Sequence, residues 1–296
     1  MSGPPGALLR RLEAIVDDTV EALGGVGGGC INEAASIRVG GQRLFLKWTE
    51  AAPPGFFEAE ADGLRRLGAA AAVRVPAPLF WGEPEGGAPA FLVMDHVEGL
   101  AAGQGFDRAG FGARFGAAMA ALHAPGGESY GLERDNFIGA LAQENGARPG
   151  WVSFFGEARL GAQVRLARAQ GKLRGVHIDK VERLIERLPG LIPDDPGASL
   201  LHGDLWSGNY MIGGAGEPVL VDPAVYRGHR EAEIAFTELF GGFPQSFYAA
   251  YRAALPLEPG YEGRRDLYNA YPLLVHVNLF GGGYVRQLMG VVERYL

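Results

Sequence analysis

The segment Leu201-His202-Gly203-Asp204-Leu205-Trp206-Ser207-Gly208-Asn209, continued by Val219-Leu220-Val221-Asp222-Pro223, constrains this chain more than any other. It reads as two brief apolar strands, Leu200 to His202 and Val219 to Val221, flanking a polar loop. Asp204 and Asn209 lie five positions apart, and Asp222 follows 18 positions after Asp204, just past the second strand. Taken singly, Asp204 and Asn209 are ordinary turn formers and Asp222 a strand-end cap. Three such groups at this spacing between two apolar strands point instead to a site.

The chemistry that needs this set is phosphoryl transfer from ATP. One oxygen-bearing group accepts the proton of the acceptor hydroxyl, and two hold the Mg²⁺ that neutralises the triphosphate. Magnesium prefers hard oxygen ligands and keeps several waters, so one Asn and one Asp suffice. Asp204 is then the base, and Asn209 with Asp222 the metal ligands. His202 is expected to brace the loop through hydrogen bonds, and Trp206, too large for a plain turn, to stack on an acceptor.

Lysine is scarce: the 27 basic residues include only Lys47, Lys172 and Lys180. Lys47 sits in the strand pattern Leu44-Phe45-Leu46-Lys47-Trp48. On the helix that follows, Phe57, Glu60, Leu64 and Leu67 fall on one stripe, which places Glu60 on the apolar face and turns Glu58 elsewhere. A carboxylate on a buried face needs a cationic partner or loses its charge. A Lys47–Glu60 pair aimed at the α and β phosphates meets that need. Gly27-Gly28-Gly29, just before the first strand, is suited to bring backbone N–H groups close to phosphate oxygens. Cys30 would then lie beside the phosphates, where a redox role is conceivable; an inert small residue is the plainer reading. No Gly-Lys-Ser or Gly-Lys-Thr ending exists, which excludes the common P-loop.

Along the chain, helical spacing predicts a helix over 6–23, stopped by glycines, then strands from Ala34 to Val39 and Arg43 to Trp48 joined by Gly40-Gly41. A helix from Phe56 to Leu67, an extended stretch from Val73 to Phe80 and a strand from Phe91 to Asp95 follow. Beyond residue 100 the pattern turns helical: Phe111 to His123, Trp151 to Gln170, Ile178 to Leu188, and from Glu231 to the end. A strand-rich part of about 95 residues thus precedes a helical remainder.

Composition removes other classes. With 296 residues and 47% hydrophobic content, the chain can bury about three quarters of its unfolded surface, so disorder is excluded. One cysteine cannot form an internal disulfide, which fits a reducing cytoplasm. No apolar run approaches the ~18 residues of a membrane span, and Met1-Ser2-Gly3-Pro4-Pro5-Gly6 lacks the blocks of a signal peptide. A net charge of −7 argues against nucleic acid.

The residues resemble the fructosamine kinase (ketosamine kinase) family, related to aminoglycoside phosphotransferases, over essentially the full length. The resemblance is carried by Gly28-Gly29-Cys30-Ile31, Phe57-Glu58-Ala59-Glu60, Asp135-Asn136-Phe137-Ile138-Gly139, the HGDLWSGN stretch at 202–209 and the run from Asp222 to Glu231. Glu238 to Phe243 and Tyr271 to Tyr284 also fit. It implies an α+β, two-lobed protein-kinase-like fold: an antiparallel-sheet N-lobe over 1–95 with one key helix, a hinge at 96–98, and a mainly helical C-lobe over 99–296. It implies an ATP- and Mg²⁺-dependent kinase acting on a sugar hydroxyl of ketosamines, free or protein-bound, as a deglycation activity. Met94, Asp95, His96 and Val97 match the hinge whose backbone holds adenine, and Trp206 and His276 match positions near the acceptor. A cytoplasmic monomer is expected.

There are departures. Phe56-Phe57-Glu58-Ala59-Glu60 stands where the family commonly has Met-Phe-x-Gly-Glu. Relative to protein kinases, His-Arg-Asp becomes His202-Gly203-Asp204, Asp-Phe-Gly becomes Asp222-Pro223-Ala224, and no Ala-Pro-Glu follows, so control by activation-loop phosphorylation is not expected. The competing readings are an aminoglycoside- or choline-type phosphotransferase with another alcohol acceptor, and a non-catalytic nucleotide-binding pseudokinase.

Overall fold

A computed structural model describes residues 3–25, 32–101 and 105–296. The glycine loop Gly27, Gly28, Gly29 and the thiol of Cys30 lie outside the described residues. The chain divides into two compact units, Met1–Asp107 with Tyr210–Asp222, and Arg108–Asn209 with Pro223–Leu296. Between them they have the α+β character expected: an antiparallel sheet with a key helix, and a mainly helical remainder.

In the first unit, helix α1 (Gly6–Val16) leads into β1 (Val20–Gly25), β2 (Glu33–Val39) and β3 (Gln42–Thr49), then α2 (Phe56–Ala70), β4 (Pro78–Gly82) and β5 (Ala90–Asp95). The expected helix over 6–23 is corrected: it stops at Val16, and Asp17 turns left-handed at φ 51°. Asp tolerates that conformation because its short polar side chain bonds locally. Residues 20–25 instead pair with β2 from Val20↔Val39 to Gly25↔Ala35. Gly40 and Gly41, at φ 54° and 82°, close the β2–β3 hairpin with a turn that favours glycine.

The five strands order as β1-β2-β3-β5-β4, all antiparallel. The two-residue period of β3 sends Leu44, Leu46 and Trp48 to the face that packs with Leu8 and Leu12 of α1 and with Phe91 and Val93 of β5. Lys47 therefore belongs to the opposite face, beside Leu92, its partner across the ladder. That face is the one α2 covers with Phe57, Leu64 and Leu67, all nearly solvent-free.

Two short strands, β9 (Tyr210–Ile212) and β10 (Pro218–Leu220), return to this unit from far along the chain. The Leu220 amide donates to the Arg74 carbonyl at 2.9 Å, the Gly214 amide to Glu98 at 2.8 Å, and the Leu100 amide to Ile212 at 3.0 Å. An Arg74–Glu217 ion pair adds to the seam. The hairpin ends at Asp222 and so delivers it to the sheet that bears Lys47.

The second unit begins with α3 (Arg108–Leu122), followed by the hairpin β6 (Asn136–Ile138) and β7 (Leu141–Gln143). A continuous helix comes next: α4 (Trp151–Ser153), a π-helical stretch Phe154–Gly161, and α5 (Ala162–Ala169). Then follow α6 (Gly175–Arg187), β8 (Ser199–Leu201), β11 (Tyr226–Gly228), α7 (Arg230–Leu239), α8 (Gln245–Ala254), α9 (Tyr261–Tyr268), α10 (Ala270–Phe280) and α11 (Gly283–Val292). None of the helices among the described residues is long and apolar enough to cross a membrane.

Helices α3 and α8 touch backbone to backbone. Gly112 and Gly116, one turn apart, face Ser246 and Phe247, and the Phe111, Phe115, Phe243 and Phe247 rings seal the contact. A methyl group on Gly116 would overlap the Phe247 carbonyl oxygen and press on the Tyr251 amide, neither of which can swing aside. Gly116→Ala is therefore expected to destabilise the chain by about 1–3 kcal/mol or more by overpacking, read as a lower urea midpoint. Gly290→Ala, at an exposed helical site with open space, should instead raise stability by up to ~1 kcal/mol. Equal midpoints for both variants would contradict this packing.

Candidate active site

In the sheet unit, Lys47 is the centre. Its side chain is 7% exposed, and Nζ donates to Glu60 Oε1 at 2.6 Å and to Asp222 Oδ1 at 2.7 Å. Helical spacing on α2 explains Glu60, which shares a stripe with the buried Phe57, Leu64 and Leu67. Burial by itself would lower the pKa of the ammonium. The charges of Asp222 and Glu60, with their hydrogen bonds, outweigh it, so the pKa is raised and Lys47 stays a cation at any physiological pH. Burial likewise pushes the Glu60 carboxyl upward, with Lys47 opposing. Asp222 differs from its two partners: it is 44% exposed and left-handed at φ 55°, outside the usual range for a side-chain-bearing residue. Backbone strain of this kind gathers at functional positions, where surrounding structure enforces it.

In the helical unit, the loop after β8 turns back on itself. The Trp206 amide donates to the Asp204 carbonyl at 3.1 Å and the Asn209 amide to the Trp206 carbonyl at 3.0 Å. The Trp206 indole packs against Gly208, where a side chain would collide with it. Asn209 gives Nδ2 to both the carbonyl and a carboxylate oxygen of Asp204, each at 2.8 Å. Those two bonds occupy its amide hydrogens and orient the Asp204 carboxylate, leaving the amide oxygen as the atom Asn209 has for a hard cation. Gly203, at φ 86°, sits so close to the Ala224 carbonyl that only glycine fits.

The loop is held from behind by a residue that the sequence reading missed. Glu233 of α7, 3% exposed, accepts the His202 amide at 3.0 Å and the Gly203 amide at 2.6 Å. It also meets His123 Nε2 at 2.8 Å, and His123 Nδ1 meets the Tyr251 hydroxyl at 2.9 Å. Burial would raise the Glu233 pKa, but hydrogen bonding and charge from His123, with His202 and the Gly203 amide, hold it below the usual carboxylate range. A signal for it was present: Phe236 and Phe240 lie three and seven positions on, which puts Glu233 on an apolar helical stripe as Glu60 is. His202, fully buried, turns Nδ1 to the Asp204 amide at 3.3 Å, the bracing role expected of it.

Residues 135–139 and the run that begins at Pro223 also meet within this unit. Asn136 Nδ2 donates to the Val225 carbonyl at 2.8 Å, and Gln143 Nε2 to the Ala224 carbonyl at 3.0 Å. Together they pin the segment just before β11. The candidate adenine-binding residues fall where β5 ends: Met94 is buried in the strand, Asp95 bonds the Ala77 backbone, and His96 and Val97 follow outside any strand. His276 lies on α10 among aromatic rings. Trp206 and His276 are both partly exposed.

In the sheet unit Asp222 offers a carboxylate beside the permanent ammonium of Lys47, and in the helical unit Asn209 offers an amide oxygen; each is a hard oxygen of the kind magnesium takes. No group of three or more His, Cys, Asp or Glu able to hold a metal occurs among the described residues.

A family model described as Fructosamine kinase matches residues 10–296. A protein of Synechocystis named probable ketoamine kinase is 41% identical over 273 residues, covering 92% of this chain and 89% of its own. The chloroplastic protein-ribulosamine 3-kinase of Arabidopsis thaliana is 39% identical over 283 residues, covering 94% and 83%. A crystal structure of a Thermobifida fusca protein described as a putative fructosamine-3-kinase superposes with a TM-score of 0.85 at 31% identity, covering 97% of each chain.

Two predictions follow from the buried charges. Lys47→Met leaves Glu60 buried without its cation and should cost about 3–5 kcal/mol in urea unfolding, whereas the double variant Lys47→Met/Glu60→Met should regain most of that. A single variant as stable as the parent would remove the ion-pair account. His229, fully buried with Nδ1 on the Tyr268 hydroxyl, has its pKa lowered to about 3 by burial, with Arg230, Arg264 and His123 adding to the effect. The unfolded chain binds this proton near pH 6.5 and the folded chain does not, so stability is complete above pH 6.5 and falls below it. Lowering the pH from 7.5 to 5 should cost about 2 kcal/mol through this group, and His229→Gln should flatten that slope.

Proposed function

The chain belongs to the fructosamine kinase family, and on that basis we propose that it transfers the γ-phosphoryl group of ATP to a hydroxyl of a ketosamine, the rearranged adduct of a sugar with an amine. The relative named a ribulosamine 3-kinase supports the hydroxyl at C3 of a ribulosamine, free or on a protein lysine, as the acceptor. The observation that carries the kinase reading is Lys47 held as a cation between Glu60 and Asp222. A permanently charged, immobile ammonium is what a site needs to orient phosphates without drifting to the neutral amine.

Asp204 is the base. Its carboxylate, fixed by Asn209, accepts the proton as the sugar oxygen attacks phosphorus in line with the departing ADP oxygen. Asn209 and Asp222 would hold Mg²⁺, which supplies positive charge to the phosphate oxygens when bound. Lys47 orients the α and β phosphates, and the backbone at Met94, Asp95, His96 and Val97 holds the adenine. Trp206 offers its indole face to the sugar, and His276 lies near the acceptor. Glu233 keeps the loop amides, and through them Asp204, in register. The lone cysteine is consistent with work in the cytoplasm, and one chain supplies every residue named, consistent with a monomer.

Asp204→Asn preserves shape and removes the base. Turnover of a lysine-linked ribulosamine, followed by ADP release, should fall about 10²- to 10⁴-fold while ATP binding is retained. Undiminished turnover would remove Asp204 from the role. A panel of ribulosamine, fructosamine and aminoglycoside acceptors tests the substrate class: ADP release with the antibiotic alone would transfer the reading to another alcohol. Nucleotide binding with no ADP release from any acceptor would make the chain a silent nucleotide-binding protein.

A further inference from the structure

Arg159 is fully buried, yet it forms no ion pair among the described residues. The Glu144 carboxylate, from the residue whose carbonyl it binds, is taken by Arg165. Its own bonds go to neutral acceptors: from Nη1 to the carbonyls of Glu144 at 2.5 Å and Ala158 at 3.2 Å, and from Nη2 to Asn145 Oδ1 at 2.7 Å. Its Nε has no partner. A buried cation without an anion is costly, and an apolar side chain of similar length would fill the space at less cost. The stretch that carries it, Phe154–Gly161, is π-helical, a form that recurs at functional positions.

Three aromatic rings surround the guanidinium. Its Cζ lies 3.9 Å from the ring centroid of Tyr226, 4.5 Å from that of Phe154 and 5.4 Å from that of Tyr271. Ring faces attract a cation through their quadrupole, more strongly where water is excluded, and this offsets part of the cost of burial. Phe154 stands five positions before Arg159, the spacing that a π-helical turn brings onto one face.

Two of the rings lead to the loop that carries Asp204. Tyr226 pairs with Leu201 across β11 and β8, directly before that loop. Its Cδ1 lies 3.3 Å from the position a Cβ would take on Gly203, the residue before Asp204. Tyr271 gives its hydroxyl to Gln143 Oε1 at 2.6 Å, and Gln143 holds the Ala224 carbonyl against which Gly203 is pressed. The Ala224 amide in turn donates to the His202 carbonyl at 2.9 Å. Burial raises the pKa of Tyr271; Arg159 opposes this, and the charges of Tyr226 and Asp204 add to it. One hydroxyl thus feels both the guanidinium and the Asp204 carboxylate.

Resting on the reading of Asp204 as the base, we propose that Arg159 is a positioning residue for it: the buried guanidinium clamps the Tyr226 and Tyr271 rings, and these set the backbone at Gly203 and Asp204 for proton transfer. Being fully buried, Arg159 acts through the rings and not on the substrate. Glu233 holds the same loop by its amides, so the base is fixed by an anion on its main chain and by a cation through its packing.

The test is a double-mutant cycle read as ADP release with a lysine-linked ribulosamine. Arg159→Met keeps the length of the stem and removes the charge and the fork of donors. In the parent background it should lower kcat about 10- to 100-fold, the loss that a small misplacement of reacting groups brings, while KM for ATP and for the sugar stays within about twofold. In the Asp204→Asn background the same substitution should change the residual kcat by less than about twofold, since no base is left to misplace. Arg159→Gln should repeat the pattern. Equal losses in the two backgrounds, an undiminished kcat, or a loss confined to KM would each overturn the positioning role and leave Asp204 as the base. Failure of both neutral variants to fold, seen as a lost near-ultraviolet circular dichroism signal, would make Arg159 structural and overturn it as well. Full turnover by Asp204→Asn alone would instead remove the base, and the role of Arg159 with it.

Discussion

A single ammonium group holds the sheet unit to its purpose. Lys47 is almost sealed from water and touches two carboxylates that reach it from a helix 13 positions on and from a hairpin 175 positions on. Desolvating a lysine is expensive, and an apolar trio of the same volume would be at least as stable. The arrangement makes sense as a fixed positive charge. Its cost is offset by the rest of the unit: α1 on one face of the sheet, Phe57, Leu64 and Leu67 of α2 on the other. The β9–β10 hairpin is stitched down at Arg74, Glu98 and Leu100, and this is what allows a left-handed Asp222 to be held where Lys47 can bind it.

The helical unit solves a related problem with backbone amides. A tight loop carrying Asp204 leaves donors that cannot all be paired by regular structure, and buried donors without partners are costly. Glu233 accepts two of them with its two oxygens and is itself balanced by His123. Gly203 makes the closeness to Ala224 possible, and Gly112 with Gly116 lets α8 approach α3 so that Tyr251 reaches His123. Small residues are therefore placed where backbones must meet, and the charges rest on that closeness.

The positions of the elements were largely legible in the residue pattern. The Gly40-Gly41 hairpin, the apolar stripe of α2 and the β8 and β10 strands all lie within a residue or a few of where the periodicity puts them. The first helix was read too long because Val20 and Leu23 continue a helical spacing by chance. A left-handed Asp17 and pairing with β2 override local preference there, a tertiary effect that no window of sequence contains. The Phe236 and Phe240 spacing turns Glu233 inward, but its partners are main-chain amides, which leave no mark in the residue types.

What the amino-acid order determined is the inventory: a rare lysine on a strand, a carboxylate on an apolar helix face, and an Asp and Asn at loop spacing. These are legible because side-chain type and local period are properties of neighbouring residues. What the tertiary structure alone decided is who pairs with whom. Lys47 meets Asp222 as well as Glu60, and Glu233 meets the loop that carries Asp204, because long-range pairing depends on how sheets and helices pack. Packing is set by the summed burial of the whole chain, and no short motif carries that sum.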